Sequence, residues 1–188
     1  MSIIEKRIKD SIAVKEKILE DAELINKIDE AADMISVCLD NGGKILFCGN
    51  GGSASDALHL TGELVGRFQR ERKGMAAICL NADVTTMTSV ANDYGYDMIF
   101  SRAVEGILNP GDILVGISTS GNSENVLRAA EKTHEMGGRV ISLLGKNGGK
   151  IKNESDISII VPDDTTARIQ EAHIMIGHII CEIVEGAS

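Results

Sequence analysis

The stretch that most constrains the fold is residues 45–63, which reads as a strand, a glycine-rich loop and a helix in direct succession. Residues 45–48 are an unbroken apolar run of strand length, as expected for a buried strand of a parallel sheet. Three glycines follow within four positions, and glycine lets backbone amides approach a ligand closely. Ser53 is predicted to be the N-cap of the helix, so that its free amides and positive dipole end face the loop. Such a helix end binds anions.

The glycine-rich loop also fits a second pattern. Residues 49–54 satisfy the G-x-G-x-x-A form of a dinucleotide fingerprint, although a lone match of this kind is weak. A dinucleotide site would need an acidic residue about 20 positions later, at the end of the second strand. The next apolar run is 75–80, and its first acidic follower, Asp83, comes too late. This argues against a dinucleotide site.

The predicted helix after the loop carries a polar pair. His59 and Glu63 are one helical turn apart and project from the same face, where both could reach one substrate or one metal ion. The same spacing is typical of an exposed ion pair on a solvated helix face. This segment alone leaves both interpretations open.

Composition excludes several classes of function. The chain has 188 residues and a net charge of −9, which argues against a nucleic-acid backbone as partner, because neutralising phosphates requires clustered Lys and Arg. The four cysteines are widely spaced and lack metal-finger spacing. Three of them lie inside apolar runs, which is typical of core residues in a reducing compartment. A charged, periodic N-terminus and the lack of a 20-residue apolar run predict neither a signal peptide nor a membrane span. We expect a cytoplasmic protein.

Strands and helices alternate along the rest of the chain. After residues 45–48, strands are predicted at 75–80, 112–117, 140–144 and 157–161, and helices at 84–91, 98–108, 124–136 and 165–185. A polar turn is expected at 92–95. This alternation predicts an α/β fold with a five-stranded parallel sheet, helices on both faces, and a ligand beyond the carboxyl ends of the strands.

Two helices are predicted to precede the sheet, within residues 3–39 and with a break at Glu20 and Asp21. The first has a narrow apolar seam at Ile4, Ile8 and Ile12. So long a helix cannot be buried fully against a small sheet, so we expect it to pack against another subunit.

Residues 118–123, here called the serine loop, follow the third predicted strand and open a helix. Four hydroxyls and a glycine at a helix N-terminus offer donors to a dianion without any fixed positive charge. A helix cap would explain one such hydroxyl, but not four. The serine loop is therefore predicted to hold the phosphate of a sugar phosphate.

These motifs together resemble a known family. The loops at 48–54 and 116–123 are similar to those of the sugar isomerase (SIS) domain. His59, Glu63, the pair at 92–93, the run 168–171 and His178 resemble the sedoheptulose 7-phosphate isomerases, or phosphoheptose isomerases. The resemblance covers nearly the whole chain as a single domain over 1–188, with residues 1–40 as extra N-terminal helices packing in the oligomer. It implies a flavodoxin-like three-layer sandwich.

The resemblance also implies an activity. The family converts D-sedoheptulose 7-phosphate into D-glycero-D-manno-heptose 7-phosphate through an enediol, and works as a homotetramer with active sites between subunits. Carried over, Glu63 and His178 form the acid and base pair, and a zinc ion is held by His59, Glu63, Gln170 and His178. The implied substrate-binding residues are Asn50, Gly51, Gly52, Glu63, Asn92, Asp93, Ser118, Thr119, Ser120, Ser123 and Gln170.

The zinc site and the proton transfer compete for the same side chains, since a metal-bound Glu or His is a poorer base than a free one. Gln170 and His178 lie eight residues apart on one predicted helix, about 12 Å along its axis. We therefore expect one of them to act in a site completed by another subunit.

Two other functions stay open at this point. Some SIS-domain proteins are scaffolds or regulators, such as a tetramer that binds the replication initiator DnaA, and these need no acid and base. Other members isomerise a different phosphosugar. The presence of both Glu63 and His178 favours an enzyme.

Overall fold

The computed structural model describes residues 1–186. Its centre is a single parallel sheet in the order β2-β1-β3-β4-β5, as the alternation of strands and helices predicts. The strands are β1 (Ile45–Gly49), β2 (Ala77–Cys79), β3 (Ile113–Ser118), β4 (Arg139–Gly145) and β5 (Ile157–Val161). β1 and β3 are buried along their whole length, because helices cover both faces. This explains why their sequences are continuous apolar runs rather than alternating ones.

Seven α-helices within residues 1–186 surround the sheet. They are α1 (Ile3–Glu20), α2 (Ala22–Asp40), α3 (Gly52–Val65), α4 (Val84–Tyr94), α5 (Ile99–Ile107), α6 (Glu124–Glu135) and α7 (Thr166–Val184). One apolar core lies between the sheet and α1, α2, α3 and α7, and a second lies between the sheet and α4, α5 and α6. The result is the expected three-layer sandwich with two extra N-terminal helices. Among residues 1–186, none of the helices has the length and apolar character needed to cross a membrane.

Asp21 separates the two N-terminal helices at the predicted break. It ends α1, and its Oδ1 accepts the backbone N–H of Leu24 at 3.0 Å to cap α2. Within α1, Val14 and Ile18 near the C-terminal end are buried, whereas Ile4, Ile8 and Ile12 are 68%, 56% and 48% exposed. The predicted seam of α1 is therefore an exposed apolar row on the single chain.

The predicted N-cap at Ser53 is wrong. α3 begins at Gly52, two residues earlier than a Ser53 cap requires, and Gly51 is its cap, with a φ of 57° that favours glycine. Ser53 is buried and lies inside the first turn. The glycine backbone, rather than a serine hydroxyl, thus sets the start of this helix.

Two other elements differ from their predicted bounds. The second strand is three residues long rather than the six of 75–80, and the Asn81 side chain continues the pairing with β1 beyond its carboxyl end. The Asn81 amide accepts from the N–H of Gly49 at 3.2 Å and donates to its carbonyl at 2.9 Å. The helix predicted at 98–108 begins as a 3-10 turn at Tyr96–Met98 before α5.

The strand order brings two loops together. β1 lies between β2 and β3, so the chain leaves β1 towards one side of the sheet and returns on the other. In such sheets the crevice at this reversal is where ligands bind. The loop after β1 and the serine loop after β3 border that crevice.

Candidate active site

The register of the sheet sets the relation between the two loops. Cys48 pairs with Gly116 and Gly49 with Ile117, so Asn50 leaves β1 beside the point where Ser118 ends β3. The two predicted phosphate-type loops are thus neighbours, although the chain separates them by about 68 residues. One small ligand can contact both.

The serine loop is tightly built. The Ser118 hydroxyl lies 2.8 Å from that of Ser123 and 3.5 Å from that of Ser120. Ser123 is the N-cap residue of α6, yet its side chain makes no capping hydrogen bond. The capping interpretation therefore fails for this hydroxyl, which is held by Ser118 instead.

A glycine contact braces the serine loop from behind. Gly121 has a φ of 66°, and a Cβ built on it would collide with the backbone of Gly148. Gly149 in turn packs against the Gly121 carbonyl, and the N–H of Ile151 donates to that carbonyl at 3.0 Å. The turn after β4 thereby fixes the backbone of the serine loop.

α3 and α7 run parallel and in close contact. A Cβ on Gly52, at the start of α3, would collide with the Gln170 amide near the start of α7. Two turns further on, a Cβ on Gly177 would lie 2.6 Å from a methyl carbon of Leu60. Glycine at both contact points lets the helices approach, so residues separated by about 118 positions meet along the pair.

The packing of α3 against α7 brings together three of the four predicted zinc ligands. His59 Nε2 lies 2.9 Å from His178 Nε2 and 3.0 Å from Glu63 Oε1. The donor atoms of the three residues all lie within 4.8 Å of one another. Phe68 stacks on the His178 ring, with a centroid separation of 5.3 Å. In the described chain, His59 and Glu63 are therefore part of a cluster with His178 rather than an isolated surface pair.

The donor set fits a metal ion. Two imidazole nitrogens and one carboxylate oxygen form a three-ligand set that suits zinc with one open position. Gln170 does not join the cluster within one chain, because its amide lies against Gly52 at the opposite end of the α3–α7 contact. It is placed instead beside the loop that follows β1.

The pair Asn92 and Asp93 does not lie in a turn between helices, as predicted, but in the last turn of α4. The Asn92 amide donates to the Asp93 carboxylate at 2.8 Å, and both side chains are exposed. Gly95, with a φ of 102°, ends the helix. The connection that follows carries Tyr96, whose hydroxyl reaches Asn50 at 2.9 Å.

Comparisons with known proteins identify the family of the chain. The model of the SIS domain family matches residues 8–145. The phosphoheptose isomerase of Clostridium acetobutylicum is 49% identical over 184 residues, which is 98% of this chain and 94% of that protein. That of Nitratiruptor sp. is 50% identical over 182 residues, covering 97% and 96% of the two chains. The chain belongs to the phosphoheptose isomerase family.

A solved structure supports the same assignment. The phosphoheptose isomerase of Francisella tularensis superposes with a TM-score of 0.92 at 41% identity, with 98% of each chain covered. The family and the α/β fold predicted from the sequence are thus confirmed, and the isomerase names of the relatives favour an enzyme over a scaffold.

His173 and the four cysteines of this family member are structural residues. His173 is fully buried, its Nε2 lies 2.8 Å from the Leu144 carbonyl, and burial lowers its pKa to about 4 despite that hydrogen bond. It is a neutral core residue. All four cysteines are buried, and burial, with the charges of Glu63 and Glu185, raises the pKa of Cys181 to about 12. None offers a reactive thiolate.

Sequence reasoning missed two residues at the site, Asn125 and Tyr96. Asn125 lies in the first turn of α6 and is 3% exposed, and its side chain pairs with that of Asn50. Its position directly after the serine loop was the only signal in the sequence. Tyr96 gave none, because it follows the expected polar turn.

Proposed function

We propose that this chain interconverts D-sedoheptulose 7-phosphate and D-glycero-D-manno-heptose 7-phosphate in the cytoplasm. The product would supply heptose for a bacterial surface polysaccharide, such as lipopolysaccharide or capsule. Identity of 49% to a phosphoheptose isomerase over nearly the full length of both chains supports the reaction. The observation that carries it is the convergence of His59, Glu63 and His178 between α3 and α7.

The proposed chemistry is a proton transfer between neighbouring carbons. Glu63 takes the proton from C1 of the ketose, the C–H electron pair forms the C1=C2 bond, and the carbonyl pair moves to O2, which takes a proton from His178. His178 then removes the proton from O1, and Glu63 returns its proton to C2 to give the aldose. Glu63 and His178 are both half-buried, and carboxylates and imidazoles are common proton-transfer groups in enzymes.

The two loops and the His cluster would divide the substrate between them. Ser118, Thr119, Ser120 and Ser123 are proposed to hold the phosphate, with help from the N-terminal amides of α6. Asn50, Gly51, Gly52, Asn92, Asp93 and Gln170 are proposed to line the sugar site. His59 lies seven residues beyond Gly52 on α3, about 10 Å along the axis. This separation suits a substrate whose phosphate and reacting carbons are at opposite ends.

A zinc ion is proposed at His59, Glu63 and His178, with Gln170 as the fourth ligand only if another subunit supplies it. When bound, zinc supplies Lewis-acid polarisation of a substrate oxygen. We also propose that the protein is a homotetramer with sites between subunits. The exposed apolar row of α1 supports an interface, since exposed patches of this kind mark protein contacts.

The experiment is a direct assay with sedoheptulose 7-phosphate, followed by NMR in D₂O so that proton exchange at the reacting carbons is seen with turnover. Glu63→Gln and His178→Gln should each lower kcat by about 10²- to 10⁴-fold. His134→Gln is the matched control, because His134 pairs with Asp156 on the surface. Full activity in either test variant would overturn the acid and base roles, and an inactive wild type would favour the scaffold alternative.

A further inference from the structure

The side chain of Asn50 is held in a closed hydrogen-bond network. Its Nδ2 donates to Asn125 Oδ1 at 2.8 Å, and the Asn125 Nδ2 donates back to Asn50 Oδ1 at 2.9 Å. The Tyr96 hydroxyl donates to the same Asn50 oxygen at 2.9 Å. Three separate parts of the fold thus meet at one carboxamide: the loop after β1, the connection between α4 and α5, and the first turn of α6.

One backbone group orients the whole network. The N–H of Val126, which also faces the Ser123 carbonyl, donates to Asn125 Oδ1 at 3.0 Å. Because an N–H can only donate, the Asn125 oxygen must face it, and the Asn125 amide nitrogen must then face Asn50 Oδ1. This fixes the orientation of the Asn50 carboxamide, which on its own could be placed either way round. It also makes Tyr96 the donor.

The network leaves Asn50 with one defined free donor. Its oxygen accepts twice and one of its two N–H groups is used by Asn125, so a single N–H is available to a ligand. Asn125 is 3% exposed, so breaking the pair would leave its polar atoms unpaired out of water. Tyr96 is 57% exposed, so a substitution can remove its hydroxyl without creating a cavity in the core.

We propose that Asn125 and Tyr96 are positioning residues that aim this one N–H of Asn50 at a hydroxyl oxygen of the bound sugar. This inference rests on the proposed function, in which Asn50 lines the sugar site. Neither residue contacts the substrate; both act through Asn50. Their loss should weaken sugar binding and leave phosphate binding unchanged.

The test is a pair of matched tyrosine variants. Tyr96→Phe should raise KM for sedoheptulose 7-phosphate about fivefold to tenfold with kcat little changed, because loss of one orienting hydrogen bond weakens ground-state and transition-state binding alike. Tyr94→Phe is the control, since the Tyr94 ring lies under Arg102 rather than beside Asn50. The inhibition constant of inorganic phosphate should be the same in all three proteins.

Two further variants separate positioning from general damage. In an Asn50→Ala background, Tyr96→Phe should have no additional effect on KM, because the side chain it orients is gone. Asn125→Asp keeps the acceptor for Val126 but sets an oxygen against Asn50 Oδ1, so it should raise KM more than Tyr96→Phe does. Equal KM values for Tyr96→Phe and Tyr94→Phe, or a full Tyr96→Phe effect without the Asn50 side chain, would overturn the inference.

A readout without turnover keeps this inference distinct from the proposed function. The side-chain amide protons of Asn50 and Asn125 that are hydrogen-bonded within the network should exchange slowly with solvent by ¹⁵N NMR in the wild type and faster in Tyr96→Phe. An inactive wild type would refute the proposed function and the sugar contact. Fast exchange in an active wild type would refute the orienting network alone.

Discussion

The Nε2 atoms of His59 and His178 lie 2.9 Å apart, although 119 positions separate the two residues along the chain. The parallel contact of α3 and α7 brings them together, and glycines at positions 52 and 177 make that contact close. The chemistry of the cluster therefore depends on how tightly two helices pack, which can be tested apart from the reacting groups.

Adding one methyl group between the helices should impair the site from a distance. Gly177→Ala puts a Cβ 2.6 Å from a methyl carbon of Leu60, so either the buried Leu60 side chain or α7 itself must shift. We expect a loss of about 1–3 kcal/mol in the free energy of unfolding and a lower kcat as His178 moves. Denaturant unfolding and the isomerase assay measure both.

Gly106→Ala is the control for that substitution. Gly106 also lies in a helix, but nothing stands within 4 Å of a Cβ there, so alanine should be neutral or stabilise by up to about 1 kcal/mol. If Gly177→Ala were equally harmless, the close packing would not be what sets the position of His178.

The His cluster should bind one zinc ion per subunit. His59→Ala removes the nitrogen that lies nearest both other donors, so zinc affinity should fall by at least 100-fold, as measured by calorimetry on metal-free protein. His134→Ala, outside the cluster, should bind as the wild type does. Unchanged affinity in His59→Ala would argue against this metal site.

The serine loop should control KM. Ser123→Ala removes a hydroxyl that pairs with Ser118 at 2.8 Å and is proposed to donate to the phosphate. Hydrogen bonds to charged groups contribute about 1.5–3 kcal/mol, so KM should rise about 10- to 100-fold. Ser36→Ala on α2, where the hydroxyl bonds only to the Ala32 carbonyl within its helix, should leave KM unchanged. Equal KM values would remove Ser123 from the phosphate site.

Glu185 should make stability depend on pH in the acid range. Its side chain is 1% exposed and accepts the backbone N–H groups of Phe68, Gln69 and Arg70 beside the Arg72 guanidinium. Burial opposes ionisation, but these three donors and the Arg72 charge outweigh it and lower the pKa from 4.5 to about 2. The ionised group thus stabilises the fold fully above pH 4.5, and this stabilisation is lost as pH falls towards 2.

Glu185→Gln tests this directly. At pH 7 it should lower the free energy of unfolding by about 2 kcal/mol, and the difference from wild type should shrink between pH 4.5 and 2. Glu23→Gln, at an exposed pair with Lys27, should change stability by less than about 0.5 kcal/mol. A constant difference across that pH range would show that ionisation of Glu185 is not the source.

The apolar row of α1 should hold the oligomer together. Ile8→Asp places a charge in the middle of this row, where Ile8 is 56% exposed on the single chain. We expect sedimentation to show smaller species than the proposed tetramer. Lys9→Asp, a charge change at the neighbouring exposed position, is the control. Tetramers in both variants would place the interface elsewhere.

The sequence predicted the sheet well because each buried strand is an apolar run ended by glycine or a polar loop. It predicted helix ends less well. Serine is common at N-caps, so the pattern predicts a cap at Ser53, but the helix begins earlier, with Gly51 as its cap. The expected turn at 92–95 failed because a polar pattern cannot distinguish an exposed last helical turn from a loop, and Gly95 ends α4 only afterwards.

For the candidate site, the sequence predicted contacts within one element better than contacts between elements. Residues within one element, such as His59 and Glu63, could be paired by spacing, whereas His178 entered only through the resemblance to a family. No local pattern links Asn50 to Asn125 or Glu185 to Phe68, since these contacts join residues 75 and 117 positions apart. Such pairs depend on the packing of the finished fold.

The glycine contact behind the serine loop has a thermodynamic consequence. Since the backbones of Gly121 and Gly148 are already in contact, the serine loop should be held in place before the phosphate binds. Binding should therefore cost little backbone conformational entropy, and most of the interaction energy with the phosphate remains as affinity.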